Sequence, residues 1–201
     1  MNALRQKIRP KHQLLILKCY PKLPAKAPSS IATEEIKPNS SELSYLLYYA
    51  SARRSKLEKV GAFLEKKTAG DLYKQRAPAV LVTPQILDAF LASNEVGGSK
   101  DGFGLFAPFV LRVLKEVLEV GKGSVELVEG SLPVWKGLCE RMDYALVAGD
   151  AEYKALFSRV LALWAEFAKK SPGKKRGSVS EEVRVRKTGL EAMRAVASGG
   201  P

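Results

Sequence analysis

The chain has 201 residues, 46% of them apolar and 27% charged, so it is long enough to bury a core and too mixed in charge for wholesale disorder. Its 33 Lys and Arg against 21 Asp and Glu leave +12, a balance that calls for an anionic partner. Two cysteines, Cys19 and Cys139, exclude a disulfide scaffold and point to a reducing compartment, and no apolar run approaches the roughly 20 residues of a membrane-spanning helix.

Residues 1–36 read as a basic, partly extended segment. Arg5, Lys7, Arg9, Lys11, Lys18, Lys22 and Lys26 all precede the first acid, Glu34. The short run Leu14 to Leu17 follows basic residues as in a signal peptide, but Lys18 comes at once and no small-residue cleavage site follows. The expected chain is therefore neither secreted nor membrane-spanning.

Residues 37–201 read as a helical-repeat region. Asn39-Ser40-Ser41-Glu42 is a helix-start signal, and Leu43, Leu46, Leu47 and Ala50 follow at helical spacing. Arg53-Arg54 then interrupt the stripe. Ser55 with Glu58 three later fits a capping box, and Leu57, Val60 and Leu64 restart the apolar face. Two helices are thus expected to meet at residues 51–55, with Arg53, Arg54, Lys56 and Lys59 gathered on the junction.

Thr83-Pro84 looks like the opening of the next helix, with Ile86, Leu87, Phe90 and Leu91 inward and Gly97-Gly98-Ser99 as its closing loop. Phe106, Phe109, Val110, Val113, Leu114, Val117 and Leu118 mark the cleanest amphipathic helix, stopped at Gly121. Ser131-Leu132-Pro133 looks like another start, leading to Trp135, Leu138, Cys139 and Met142. Asp150-Ala151-Glu152 opens a helix through Tyr153, Phe157, Val160 and Trp164. A basic loop at about 169–179 precedes Ser180-Glu181-Glu182, which opens a last helix with Leu190, Met193 and Val196 inward. No stretch alternates with period two, so the expected class is all-α, a bundle or an α-solenoid of armadillo- or HEAT-like repeats.

The positive charge sits at the two ends. Residues 1–76 carry 16 basic and 6 acidic side chains, residues 77–168 carry 8 and 12, and residues 169–201 carry 9 and 3. An anionic lipid surface attracts such clusters at about 1 kcal/mol per Lys or Arg, and nucleic acid attracts them too, so charge alone leaves both open. The run Lys169-Lys170-Ser171-Pro172-Gly173-Lys174-Lys175-Arg176 has the look of a nuclear-import signal, although a loop beside lipid carries the same residues.

No catalytic constellation can be assembled. The single histidine, His12, lies among basic residues, has no evident carboxylate partner and reads as a surface residue. One histidine and two distant cysteines do not make a zinc site, and Cys139 reads as a buried core thiol. Gly97-Gly98-Ser99-Lys100 lacks the spacing of a phosphate loop, and Asp101 follows the lysine. Neither a metal nor an organic cofactor is expected.

Several segments resemble a known family. Lys18-Cys19-Tyr20-Pro21-Lys22-Leu23-Pro24, Lys37-Pro38-Asn39-Ser40-Ser41-Glu42-Leu43-Ser44-Tyr45-Leu46-Leu47-Tyr48-Tyr49-Ala50 and Arg53-Arg54-Ser55-Lys56-Leu57-Glu58-Lys59-Val60-Gly61 are similar to the amino terminus of the fungal Eighty-five-Requiring-Three proteins, whose animal relatives are called Rolling Blackout. Gln85-Ile86-Leu87-Asp88, Leu105 to Lys115 and Gly189 to Ser198 continue the likeness in collinear order, and residues 121–150 match less well.

The resemblance implies a non-catalytic scaffold, a rod of helical repeats at the cytoplasmic face of the plasma membrane. It implies that acidic phospholipids, phosphatidylserine and phosphoinositides, meet a basic patch carried here by Lys7, Arg9, Lys11, Lys18, Lys22, Arg53, Arg54, Lys56 and Lys59. It further implies anchoring of the type III alpha phosphatidylinositol 4-kinase complex, including its tetratricopeptide-repeat subunit, in support of phosphatidylinositol 4-phosphate synthesis. Animal members carry an amino-terminal cysteine cluster that is palmitoylated, whereas here Cys19 stands alone and makes a weak one-chain anchor. Family members are several times longer, so the expected chain is the membrane end without the kinase-recruiting end. The rival reading is a helical nucleic-acid-binding protein using the terminal basic clusters. Against it, aromatics are not interleaved with Lys and Arg along 1–12 and 169–187, so no nucleic acid is expected as a partner.

Overall fold

A computed structural model describes residues 9–22, 36–52, 54–121, 124–142, 144–169 and 179–199. Among these the regular structure is entirely helical. In chain order the helices are α1 (Lys11–Cys19), α2 (Ser40–Ser51), α3 (Arg54–Tyr73), α4 (Ala77–Ala92), α5 (Lys100–Val120), α6 (Val125–Glu140), α7 (Tyr144–Gly149), α8 (Ala151–Lys169) and α9 (Val179–Ser198). The basic loop expected at 169–179 falls, apart from its two ends, outside the described residues.

Six of these helices form a two-layer stack. In one layer α3 packs on α5 and α5 on α8; in the other α4 packs on α6 and α6 on α9. The pairs α3–α4, α5–α6 and α8–α9 connect the layers, so each hairpin rests on the one before it. That is an α-solenoid, one of the two arrangements the periodicity leaves open and the one the family resemblance implies. The short helices α1 and α2 pack on each other and on α3, at the front of the stack.

Local chemistry explains several boundaries. Asn39 Oδ1 accepts from Glu42 N at the start of α2, and Ser99 Oγ accepts from Gly102 N at the start of α5. Asp150 Oδ1 accepts from both Glu152 N and Tyr153 N at the start of α8. Each cap satisfies backbone donors that the first helical turn leaves unpaired. At the end of α3, Arg76 N donates to Asp71 O and Gln75 N to Leu72 O, with Gln75 in the left-handed region at φ 54°. This is a Schellman turn with glutamine where glycine is usual.

Ser55, read as a cap, lies inside the first turn of α3, which begins at Arg54, and two further expected starts are wrong in an instructive way. The helix read from Thr83-Pro84 begins at Ala77, with Pro78 in its first turn, and Pro84 lies inside α4. The helix read from Ser131-Leu132-Pro133 begins at Val125, capped by Ser124 Oγ, and Pro133 lies inside α6. In both places the hydroxyl read as a cap is engaged elsewhere. Thr83 meets Tyr20 and Thr68, and Ser131 Oγ donates back to Leu127 O at 2.8 Å. Packing on both flanks carries each helix through its proline despite the missing N–H.

The core runs the length of the stack. Trp135 on α6 stacks on Phe157 of α8 with centroids 5.2 Å apart, and its Nε1 donates to Ala192 O of α9 at 3.0 Å. Cys139 is fully buried, as expected. The last helix faces differently from the sequence expectation: Met193 and Val196 are partly buried, but Leu190 is 52% exposed, and Val185, Thr188 and Ala192 face the core. Gly189 is the reason. A Cβ built there would lie 2.5 Å from Ala168 N, so α9 approaches α8 at backbone distance along its small residues and turns Leu190 outward.

Candidate functional site

The expected basic patch is assembled from three short lengths of chain. Helix α1 exists because Leu15, Ile16 and Cys19 bury one face, which leaves Lys11 and Lys18, two turns apart, on its exposed side. Helix α2 lies beside it and buries Leu46 and Ala50. Helix α3 begins three residues after α2 ends, and its first turns carry Lys56 and Lys59.

The geometry joins two of these lysines around one aromatic ring. Lys56 Nζ lies 4.4 Å from the centroid of Tyr49, and Lys11 Nζ lies 5.6 Å from the same ring. Lys11 Nζ also lies 5.5 Å from the Tyr45 ring and donates to its hydroxyl at 3.3 Å. Two cations gathered at one ring repel each other, and the quadrupole of the ring offsets part of that cost. Lys59 belongs to the same neighbourhood. Its charge, after burial, is the second cause holding His12 below its ordinary imidazole pKa. His12 is partly exposed and edge-on to Phe63 with centroids 6.2 Å apart, a surface residue with one side packed.

The other expected positions divide. Arg9 and Lys22 are exposed at the two ends of α1. Lys18 sits 3.8 Å from Glu42 of α2, so its charge is partly answered within the protein. Lys7 and Arg53 lie outside the described residues, and of Arg54 only the backbone, at the start of α3, is described. The structure thus brings Lys11, Lys56 and Lys59 together, with Arg9, Lys18 and Lys22 along the adjoining helix.

Three tyrosines of α2 escaped the sequence reading as part of this surface. Tyr45, Tyr48 and Tyr49 fall off the Leu43–Leu46–Leu47–Ala50 stripe, which was the available signal. Tyr45 and Tyr48 are exposed by 47% and 74%, and Tyr49 is half-buried beneath the lysines.

Elsewhere several charges are spent on the solenoid itself. Arg112 pairs with Glu65 and Glu152, Arg159 with Glu119, Lys136 with Glu191 and Arg184 with Glu129. Each pair bridges neighbouring helices, so the basic residues of α9 are not all available to an outside partner. Among the described residues, no group of three His, Cys, Asp or Glu side chains is placed to hold a metal ion, and no helix is long and apolar enough to cross a membrane. Cys19 is fully buried, and its Sγ donates to Leu15 O at 3.3 Å.

The family model described as EFR3 protein matches residues 11–175. The chain is 45% identical over 199 residues to Protein EFR3 of Gibberella zeae, 46% identical over 200 residues to Protein EFR3 of Pyricularia oryzae, and 45% identical over 200 residues to Protein efr-3 of Neurospora crassa. These matches cover 98% of this chain and 16–17% of the relatives, so the chain spans about one-sixth of their length. A crystal structure of Efr3 superposes with a TM-score of 0.67 at 28% identity, covering 95% of this chain and 36% of that one.

Proposed function

Because this chain belongs to the EFR3 family, we propose that it is a non-catalytic peripheral membrane scaffold whose front end binds acidic phospholipids at the cytoplasmic face of the plasma membrane. The observation that carries this reading is the meeting of Lys11 and Lys56 at the Tyr49 ring, with Lys59 one turn along α3 from Lys56. Like charges gathered at one ring favour an external counter-charge, and a bilayer rich in phosphatidylserine and phosphoinositides presents one as a surface. The solenoid behind them is the frame that holds α1, α2 and α3 in register.

The kinase complex expected as a partner, type III alpha phosphatidylinositol 4-kinase with its tetratricopeptide-repeat subunit, is a proposal for the longer protein. In that arrangement this segment supplies the attachment and the remaining length supplies the recruiting surface, in support of phosphatidylinositol 4-phosphate synthesis.

Co-sedimentation with vesicles tests the reading. Phosphatidylcholine vesicles containing phosphatidylserine or phosphatidylinositol 4-phosphate should retain the chain, and pure phosphatidylcholine should not. Equal retention by both would overturn it. A gel shift with DNA and RNA at matched salt ranks the nucleic-acid rival in the same preparation.

A further inference from the structure

The outward face of α2 differs from the rest of this surface. Ser41, Ser44, Tyr45, Tyr48, Ser51 and Ala52 are exposed along it, and none of them is charged in a chain of net charge +12. The one charged residue of α2, Glu42, is turned toward Lys18 of α1. Two of the serines bond back to the helix's own backbone: Ser44 Oγ donates to Ser40 O at 3.0 Å and Ser51 Oγ to Tyr48 O at 2.9 Å. What remains outward is a strip of low polarity carrying two large aromatic rings.

Lysines flank that strip. Lys11 donates to the hydroxyl of Tyr45, which lies one turn from Tyr48, and Lys56 sits over Tyr49, the next residue along. A ring with an apolar body and a polar tip is suited to the boundary between headgroups and acyl chains, where tyrosine and tryptophan are enriched. Positive charge around an uncharged aromatic strip is complementary to a layer whose surface is anionic and whose interior is apolar. With two of its three serine hydroxyls bonded to the backbone, the strip offers few groups to read base edges, which disfavours a nucleic acid as the occupant.

We propose that Tyr48, with Tyr45 beside it, enters the headgroup layer of an anionic bilayer while Lys11, Lys56 and Lys59 face its phosphates. The proposal rests on the membrane reading above and adds a short-range, salt-insensitive contact to a long-range, salt-screened one. Attachment through the lysines alone weakens steeply as salt rises, whereas attachment that includes ring burial keeps a residual share.

The test uses the whole 201-residue chain carrying Tyr48→Trp. The two native tryptophans, Trp135 and Trp164, are fully buried and give a constant background. On phosphatidylserine–phosphatidylcholine vesicles the introduced indole should shift to the blue and be quenched by brominated phosphatidylcholine. In parallel, Tyr48→Ala should lower partitioning by roughly three- to tenfold, with the larger share of the loss at high salt. Its thermal unfolding should be unchanged, because the side chain is exposed. Retention by the vesicles with neither shift nor quenching overturns this proposal and leaves the charge-based attachment standing. No retention at all overturns both. A single-stranded oligonucleotide whose binding is lost in Tyr48→Ala would instead assign the strip to base stacking and overturn the lipid assignment.

Discussion

The hydroxyl of Tyr20, just beyond the end of α1, lies 2.8 Å from Thr83 Oγ1 in the middle of α4. Thr68 of α3 joins them at 3.1 Å from Thr83, and Lys67 Nζ sits 3.7 Å above the Tyr20 ring. One side chain therefore ties the front helix to both helices of the first hairpin. Burial raises the Tyr20 phenol well above its usual pKa, so it stays protonated throughout the neutral range.

Removing that hydroxyl should cost about 1–2 kcal/mol, because it leaves a buried threonine with one partner fewer. Tyr20→Phe is expected to lower the urea midpoint without changing the slope. Native-state hydrogen exchange should show α1 opening more often while α5 to α9 stay protected. Uniform loss of protection across the chain would place the hydroxyl's role elsewhere.

Charge reversal at the front should release the protein from acidic vesicles. Lys11, Lys56 and Lys59 each contribute about 1 kcal/mol near an anionic surface, so their combined change to Glu is expected to weaken retention by at least roughly a hundredfold. The difference from the unmodified chain should shrink as salt rises. Reversal of Lys154, exposed on α8, serves as the control and should have little effect.

The two thiols should be silent in the folded protein. Burial pushes both Cys19 and Cys139 up to about 12, and both are fully buried. A thiol reagent at neutral pH is expected to titrate neither cysteine until denaturant is added, and then both. The sign of the linkage follows. A raised folded-state pKa favours the protonated form in the native state, so this contribution to stability is complete below the unfolded value of 9.0 and is lost as pH rises toward 12. Unfolding midpoints should fall across that alkaline window.

The turn between α3 and α4 offers a stabilising change. Gln75 holds φ 54° in a Schellman turn, a conformation that costs a side-chain-bearing residue energy glycine does not pay. Gln75→Gly is expected to raise stability by about 0.5–1 kcal/mol, read as a higher melting temperature. A fall would mean that the entropy of the added glycine outweighs the relieved strain.

Much of the architecture was legible because helical period and capping are local. The breaks at 51–55 and at Gly121, and the caps at Asn39 and Asp150, all follow from side chains within a turn of the boundary they mark. The starts at Ala77 and Val125 were not legible, since Thr83-Pro84 and Ser131-Leu132-Pro133 imitate caps. Whether a hydroxyl caps its own helix or bonds elsewhere depends on partners such as Tyr20 and Leu127. The candidate site was legible only as a list of lysines and arginines. The tyrosines that complete it are neither charged nor on the apolar stripe.

By itself the amino-acid order determined that this protein is a helical stack with its surplus cations concentrated at both ends, because periodicity and net charge are properties of neighbours along the chain. Only the folded arrangement decided which cations act together. Lys11 and Lys56 belong to different helices, and they meet at Tyr49 because α1, α2 and α3 each bury an apolar face against the others. Arg184 carries the same single positive charge, yet the packing sets it against Glu129 and commits that charge to holding α9 on α6.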